Sequence, residues 1–451
     1  MSQSTKSLYE SAPRIHPRAV WGQFARLRVV AMIALLGVFY LVPWIRIGGE
    51  HLVLFDLAAR RFHVFGLTLV PQDLFLLTWL LILAAMTLFL FTTLAGRLWC
   101  GYACPQTVWT EAFLWIEHRI EGDRHKRMKL DKAPWNGEKI LRRGGKHVAW
   151  VLFALFTGVS FVGYFVPVEQ VVANMVTLDL GGWPLFWTLF YAFATWGNAG
   201  FMREQVCKYM CPYARFQSAM FDKDTLIIAY DETRGEPRKS KAKKLSDIVG
   251  GDCVDDQMCV QVCPTGIDIR DGLQYECIAC AACIDACNHV MDAVGKPRNL
   301  IRYTTVNHDA GDKYRLLRGR SIGYGVIWGA LLVGFAVLVL LRSSVELDVI
   351  RDRKNLYRVV DAQHIENVYT LKVTNKQDTI ISYGIAVDGE QSEATISPDR
   401  IELAPGETRG LTVGVRAPLD GARVETMTVE LIDDSGKTVA DRETNFFRPA
   451  R

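Results

Sequence analysis

With 451 residues, half of them apolar, and a mean hydropathy of +0.11, the chain is too long for one small domain and too apolar to lie wholly in water. Lys and Arg number 52 against 48 Asp and Glu, and a net charge of +4 calls for no nucleic-acid partner, because membrane topology is a sufficient cause of so small an excess. The sequence holds no Cys-x-x-Cys-His run, no Gly-x-Gly-x-x-Gly fingerprint and no P-loop, which leaves covalent c-type haem, dinucleotides and ATP without support.

Five apolar stretches approach the roughly twenty residues that span a bilayer. They run from about Val29 to Ile45, Leu74 to Leu94, Val148 to Val166, Trp183 to Ala199 and Ile322 to Leu341. The first contains Pro43 and lacks a small-residue cleavage site, so it reads as an anchor and not as a removed signal peptide. His51 and His63 fall in the loop after it, where incoming metal would arrive, but without a Cys or Met cluster they read as ordinary loop residues. The segment from Arg97 to Lys146 is crowded with Arg124, Lys126, Arg127, Lys129, Lys132, Arg142 and Arg143, whereas Pro167 to Gly182 has no Lys or Arg. The segment between the fourth and fifth stretches is also basic, with Arg238, Lys239, Lys241, Lys243 and Lys244. The positive-inside rule then places both basic segments and the N-terminus in the cytoplasm and everything after Leu341 outside. The Lys239 to Lys244 run reads as solvated juxtamembrane charge ahead of a site for anionic lipid or an acidic donor.

A repeat marks the inner ends of two helical hairpins. Arg97-Leu-Trp-Cys100-Gly-Tyr-Ala-Cys104-Pro105 follows the second stretch, and Arg203-Glu-Gln-Val-Cys207-Lys-Tyr-Met-Cys211-Pro212 follows the fourth. Cysteines four apart share a helix face, and the proline predicts a break near Cys104 and Cys211. Two such pairs facing one another would make a four-thiol pocket at the membrane surface, whose soft thiolates favour Cu(I) or an iron–sulfur cluster. Taken singly, such cysteines would be small buried hydrophobes; the repetition argues for a site. Met202, Met210 and Met220 lie nearby and read as packing residues before thioether ligands.

Seven cysteines then fall in the thirty-five residues from Cys253 to Cys287. The run Cys277-Ile-Ala-Cys280-Ala-Ala-Cys283 followed by Cys287 pairs with an upstream half as in two-cluster ferredoxins, where the fourth cysteine of each half reaches the other half's cluster. One [4Fe–4S] cluster is then held by Cys277, Cys280, Cys283 and Cys263. The upstream half, Cys253-Val-Asp-Asp256-Gln-Met-Cys259, carries Asp256 where the second thiolate belongs, so the other cluster has Cys253, Cys259 and Cys287 as its sulfur ligands. Either Asp256 binds the fourth iron through oxygen, or that iron is missing and the cluster is [3Fe–4S]. A structural zinc knuckle would separate its Cys pairs by a longer spacer, and a disulfide framework does not suit the reducing cytoplasmic side.

Beyond the fifth stretch, residues from about Ser344 to Arg451 contain no cysteine. Alternating runs such as Val368 to Thr374 and Val424 to Leu431, separated by turn signals at Asn375 to Asp378, Pro405-Gly406 and Asp434 to Gly436, predict an all-β immunoglobulin-like sandwich. The expected architecture is multi-domain: a cytoplasmic segment (1–28), an α-helical membrane domain of two repeated hairpins (29–220), an α+β ferredoxin-like two-cluster domain (221–320), a fifth transmembrane helix (321–343) and the sandwich (344–451).

Two hairpins ending in Cys-x3-Cys-Pro, then Cys263-Pro-Thr-Gly-Ile-Asp-Ile-Arg-Asp-Gly272, then Glu276 to Cys287, form an order that resembles the FixG/CcoG/RdxA cytochrome oxidase accessory proteins over essentially the whole chain. The resemblance implies a multi-pass protein of the bacterial inner membrane that assists assembly of cbb3-type cytochrome c oxidase by reducing Cu(II) to Cu(I), with the sandwich facing the periplasm. On this reading copper is held at Cys100, Cys104, Cys207 and Cys211. Membrane lipid, copper ions and oxidase-assembly components are the partners, the electron donor is an unidentified cytoplasmic species or a quinol, and a homodimer is one assembly open to the chain. Members of that family usually carry cysteine at the position of Asp256, and Asn288 here replaces the proline that commonly follows the last cysteine. Two other readings compete: a quinol-oxidising membrane polyferredoxin feeding a separate reductase, and a non-redox scaffold whose sandwich gathers oxidase subunits.

Overall fold

Among the described residues of the chain, four helices are long and apolar enough to cross a membrane: Gln23–Trp44, Pro71–Ala95, Gly137–Val162 and Gly319–Leu340. The structure, a computed structural model, describes residues 15–177, 179, 181–238, 250–352, 356–361, 363–377, 379–388, 395–397 and 399–449. Large apolar side chains such as Leu27, Val30, Leu81 and Val333 stand exposed along these helices. Such surfaces are stable where hydrocarbon takes the place of water.

The stretch Trp183–Ala199, expected as the fourth of five spans, is built differently. It is the 14-residue helix Gly182–Thr195, which continues directly into a 7-residue π-helical segment, Trp196–Met202. Gly197, Asn198 and Gly200 are weak α-formers, and the wider π turn occurs where they concentrate. The helix lies tightly against Gly137–Val162, for a Cβ at Gly158 would stand 2.4 Å from the carbonyl oxygen of Thr188. Small residues at such crossings let helix backbones approach where no water drives them together.

The chain forms two compact units, the first gathering the described residues of Met1–Ile45 and Leu81–Leu332. Its ferredoxin-like part pairs strand Ile227–Tyr230 antiparallel with Ile301–Thr304 and packs them on the helices Met258–Gln261 and Ala282–Ala293. Asp285 on the second of these helices accepts from the backbone N–H of Ala25 at 2.7 Å and of Phe24 at 3.3 Å. A carboxylate from the ferredoxin-like part thus caps the first membrane helix, where free N–H groups and the helix dipole favour negative charge. Gly22 admits this approach, since a Cβ there would sit 2.3 Å from Asp285 Cγ. The basic run Lys239 to Lys244 lies outside the described residues.

The second unit joins Arg46–Leu80 to Val333–Arg451. Its core is a sandwich of two antiparallel sheets, five- and four-stranded, around Ile365, Leu371, Leu403, Val413, Val429 and Leu431. The expected strands are Val368 to Thr374 within His364–Asn375 and Val424 to Leu431 within Val424–Ile432. Gly406 and Gly436, at φ of 62° and 82°, make two of the expected turns. The loop that carries His51 and His63 folds into short strands of its own and belongs with the sandwich, where His63 meets Thr68 and His51 meets Arg46.

Asp73 ties loop and sandwich together. It is 2% exposed and accepts from Arg342 at 2.8 Å and Lys376 at 3.0 Å. Asp73→Ala is expected to cost roughly 3 kcal/mol, because buried Lys376 and part-buried Arg342 lose their shared partner. Glu346, 2.9 Å from Lys376, limits the loss. Denaturant unfolding of the full chain in detergent measures it, and a change below about 1 kcal/mol would mean that the cations find other partners.

Candidate functional site

The two ferredoxin-like loops share one backbone form. Ala279 and Ala281 flank Cys280 with φ of 55° and 58°, and Asp255 and Gln257 flank Asp256 with φ of 51° and 59°. Left-handed backbone costs a residue with a Cβ about 1–2 kcal/mol, and persists where its surroundings over-determine it. The match places Asp256 at the structural position of Cys280.

The structure brings the seven thiols into two groups. Cys263, Cys277, Cys280 and Cys283 line one small pocket, and Cys253, Asp256, Cys259 and Cys287 line a second beside Tyr230 and Arg270, with Cys259 bordering both. Burial raises the thiol pKa of Cys277 and of Cys259 to about 12 and that of Cys287 to about 11. Among the described residues no three His, Cys, Asp or Glu side chains stand close enough to ligate a single ion. A cubane cluster asks for no such trio, since each of its side chains holds a different iron. Thiols in these two sets suit iron–sulfur clusters: four thiolates at the first, and at the second three with Asp256 beside them, as an oxygen ligand or at the place of a missing iron.

Cys100, Cys104, Cys207 and Cys211 are neighbours as well, with no three of them within reach of a single ion. Burial raises the Cys207 thiol to about 12, and the nearby thiols of Cys104, Cys100 and Cys211 push it the same way. In both motifs the second cysteine is extended, with ψ of 128° at Cys104 and 108° at Cys211, and the following proline opens a new helix, Pro105–Glu121 or Pro212–Met220. The breaks therefore fall where the prolines predict them. The motifs differ in their first halves: Cys100 sits on the α-helical turn Leu98–Tyr102 and Cys207 on the π-helical turn Val206–Met210. Met220 is buried, whereas Met202 and Met210 are exposed.

Each motif clasps the other hairpin through the residue after its proline. Gln106 donates to the carbonyls of Asn198 at 3.0 Å and Arg203 at 3.1 Å, and Tyr213 donates to that of Leu88 at 2.9 Å. Gln217 accepts from the Cys100 thiol at 3.3 Å. Fully buried Glu117 meets Arg203 at 2.7 Å and Lys146 and Arg127 at 3.5 Å. Burial alone would raise its pKa, but the three cations outweigh this and hold it at about 2. The sign follows: this stabilisation is complete above the ordinary carboxylate range and is lost only as pH falls towards about 2.

The thiol group lies directly against the first cluster loop. A Cβ on Gly101 would stand 2.8 Å from the carbonyl oxygen of Ile278, 2.9 Å from that of Ala279 and 2.9 Å from Cys280 Cα. Arg97, 5% exposed, donates to the carbonyls of Tyr275, Cys277 and Ala214 and to Ser218 Oγ, while Arg28 donates to the Cys280 carbonyl at 2.5 Å. Sequence reasoning missed these residues. Arg97 and Arg203 head the two motifs at nearly matching places, a signal that could have found them; Gly101 carries none.

Comparison with known proteins bears on this arrangement. Residues 202–306 match the family model described as a 4Fe-4S dicluster domain, residues 76–122 that of a 4Fe-4S binding domain, and residues 335–449 that of an IG-like fold at the C-terminal of FixG. The nitrogen fixation protein FixG of Rhizobium meliloti is 39% identical over 449 residues, 90% of this chain and 85% of that protein. Protein RdxA of Cereibacter sphaeroides is 41% identical over 401 residues, 85% of this chain and 84% of RdxA. The chain belongs to the FixG/RdxA family. Protein RdxB of the same organism is 39% identical over 86% of this chain and 84% of its own length. The crystal structure of a FixG-related protein from Vibrio parahaemolyticus aligns with 24% of this chain and 100% of its own, at 29% identity and a TM-score of 0.22. This member of the FixG/RdxA family is accordingly an iron–sulfur electron-transfer protein with apolar helices of membrane-spanning length.

Asp256→Cys is expected to complete a fourth thiolate and change the electron paramagnetic resonance spectrum of one cluster only; an unchanged spectrum would mean that Asp256 does not face iron. Gly101→Val is expected to force the thiol turn away from backbone that cannot yield. Electron transfer from the reduced clusters to an acceptor bound at the thiols should slow at least about tenfold in stopped-flow absorbance, with cluster content kept.

Proposed function

We propose that this chain is a membrane-bound cupric reductase that reduces Cu(II) to Cu(I) at Cys100, Cys104, Cys207 and Cys211, in the supply of copper for assembly of a cbb3-type cytochrome oxidase. The observation that supports it is the packing of Gly101, inside the first thiol motif, on the Ile278 to Cys280 backbone. When bound, the clusters supply electrons one at a time, at potentials tuned by ligand charge and burial. Cu(II) takes one electron to become Cu(I), with no atom transferred, so the chain's remaining tasks are to hold the ion and to favour the product. Thiols do both, because soft sulfur prefers Cu(I). Arg97 and Gln106 fix the turns that carry them.

The same assembly supports one sidedness. The two thiol motifs meet, so the chain between them crosses the membrane an even number of times; Gly137–Val162 goes out and Gly182–Met202 returns. The loop after the first span and the sandwich after the last share a unit, as a common side requires. With positive charge inside, the thiols and clusters face the cytoplasm of a bacterial inner membrane and the sandwich the periplasm, where it would dock on oxidase-assembly partners.

One observation favours a second reading, in which the four thiols hold a third iron–sulfur cluster: an iron–sulfur family model spans Cys100 and Cys104. Serine at all four positions separates the two. Cu(II)-driven reoxidation of the dithionite-reduced protein should fall at least about a hundredfold with iron content unchanged. A loss of about four irons per chain would favour the third cluster. Undiminished copper reduction would overturn the proposal.

A further inference from the structure

A cavity of about 380 Å³ adjoins both redox groups. Its walls include Cys280 of the first cluster loop and Cys207 of the second thiol motif, and it runs between the start of the helix Gln23–Leu41 and the helix Pro105–Glu121. It is far larger than an ion needs and lies within the range of small-organic-ligand sites. The walls are mainly apolar, with Val29, Leu114 and Ile278 among them. At its edge Trp21 and Trp115, 69% and 56% exposed, stand beside the opening turns of a membrane-length helix. Exposed tryptophans at such a level mark a membrane interface. Charged side chains line it too, Glu111 and Glu204 with Arg18, Arg28, Arg119 and Arg203, and Arg28 reaches the Cys280 carbonyl.

We propose that this cavity binds a membrane quinol and is where electrons enter the chain. An apolar chamber at the interface admits a lipid-borne ring, and a carboxylate inside it accepts a proton from a phenolic hydroxyl. The reaction balances as QH2 → Q + 2 e− + 2 H+. Two one-electron carriers of this chain take one electron each, and the protons leave through Glu111 to water. Glu111 touches the substrate and is a catalytic residue of this half-reaction; Arg28 is a positioning residue, held by its bond to the Cys280 carbonyl. The proposal rests on the electron-transfer part of the function and not on copper, so it is tested with copper absent.

The purified full chain, clusters loaded and oxidised, is mixed anaerobically with decylubiquinol or a short-chain naphthoquinol while cluster absorbance is followed. In parallel, the quinol-site inhibitor heptylhydroxyquinoline N-oxide is titrated by quenching of its fluorescence, a readout that needs no turnover. The expected result is cluster bleaching that the inhibitor blocks, with one inhibitor bound per chain. Glu111→Gln should slow bleaching at least tenfold with inhibitor binding kept, and Thr110→Trp, which fills the cavity, should abolish inhibitor binding. Clusters that dithionite reduces but quinol does not, or variants that leave both readouts unchanged, would overturn the proposal. Should Thr110→Trp fail to fold, an azidoquinone photolabel on the unaltered chain decides: label on residues 15–29 or 106–119 supports the site, and label elsewhere overturns it.

Discussion

An electron passes between two carriers at a rate that falls steeply with the gap between them, and here the gap is governed by a side chain that is absent. Gly101 presses its α-carbon on the backbone of Ile278, Ala279 and Cys280, so that a turn bearing Cys100 rests on a loop bearing Cys277 and Cys280. Backbone against backbone is as near as two elements can come, and it cannot be relaxed by a rotamer change. Arg97 makes the contact specific. Its guanidinium spends its donors on carbonyls of the cluster loop and of the helix Pro212–Met220, which joins ferredoxin-like part, first motif and second motif at one buried point.

Holding that contact beside a membrane requires many polar groups in a dry place, and the chain meets the cost by pairing them. Glu117 with Arg203, Lys146 and Arg127 illustrates the arrangement: one carboxylate buried among three cations, tied on to Glu121 through Lys146. Buried ion pairs contribute little net stability over apolar packing, but any one removed leaves its partner stranded. Their value is in registry. Arg203 stands four residues before Cys207 and Glu117 thirteen after Cys104, so the pair sets one motif against the other. Gln106 and Tyr213 do the same by reaching reciprocally across the hairpins.

Much of this was legible in the sequence, and the part that was not has a common cause. Cluster ligands are readable because a cubane needs its thiolates on a tight loop, which writes the requirement into local spacing; Asp256 stood out as a gap in that spacing, and the backbone match with Cys280 bears on the same point. Long apolar helices are readable because the bilayer imposes a length. Trp183 to Ala199 misled in form, since an apolar run does not disclose that Gly197 and Gly200 will widen the last turns to π geometry. Arg97, Asp285 and Gly101 act on partners far away in sequence, such as Tyr275 and Ala25, and no local pattern encodes such a pairing. The placing of residues 46–80 with the sandwich depends on Asp73, whose meeting with Lys376 is equally non-local.

The two cluster sets are not equivalent links. The set with Cys280 touches everything: the cavity through Cys280 itself, the thiols through Gly101, the first membrane helix through Arg28. The set with Asp256 lines a pocket walled by Tyr230, Val290, Met291, Leu300 and Ile301, and borders neither the cavity nor the thiol turns. A chain of carriers running donor, near set, thiols would need only the first. The second makes sense as a seat beside the path. On the proposed route a quinol would release two electrons and a cupric ion take one, and a carrier off the direct route would hold the second. On that proposal an oxygen ligand or a missing iron at Asp256 would shift the potential of that seat without altering the contacts that carry the route, whereas the same change at Cys280 would fall on the route itself.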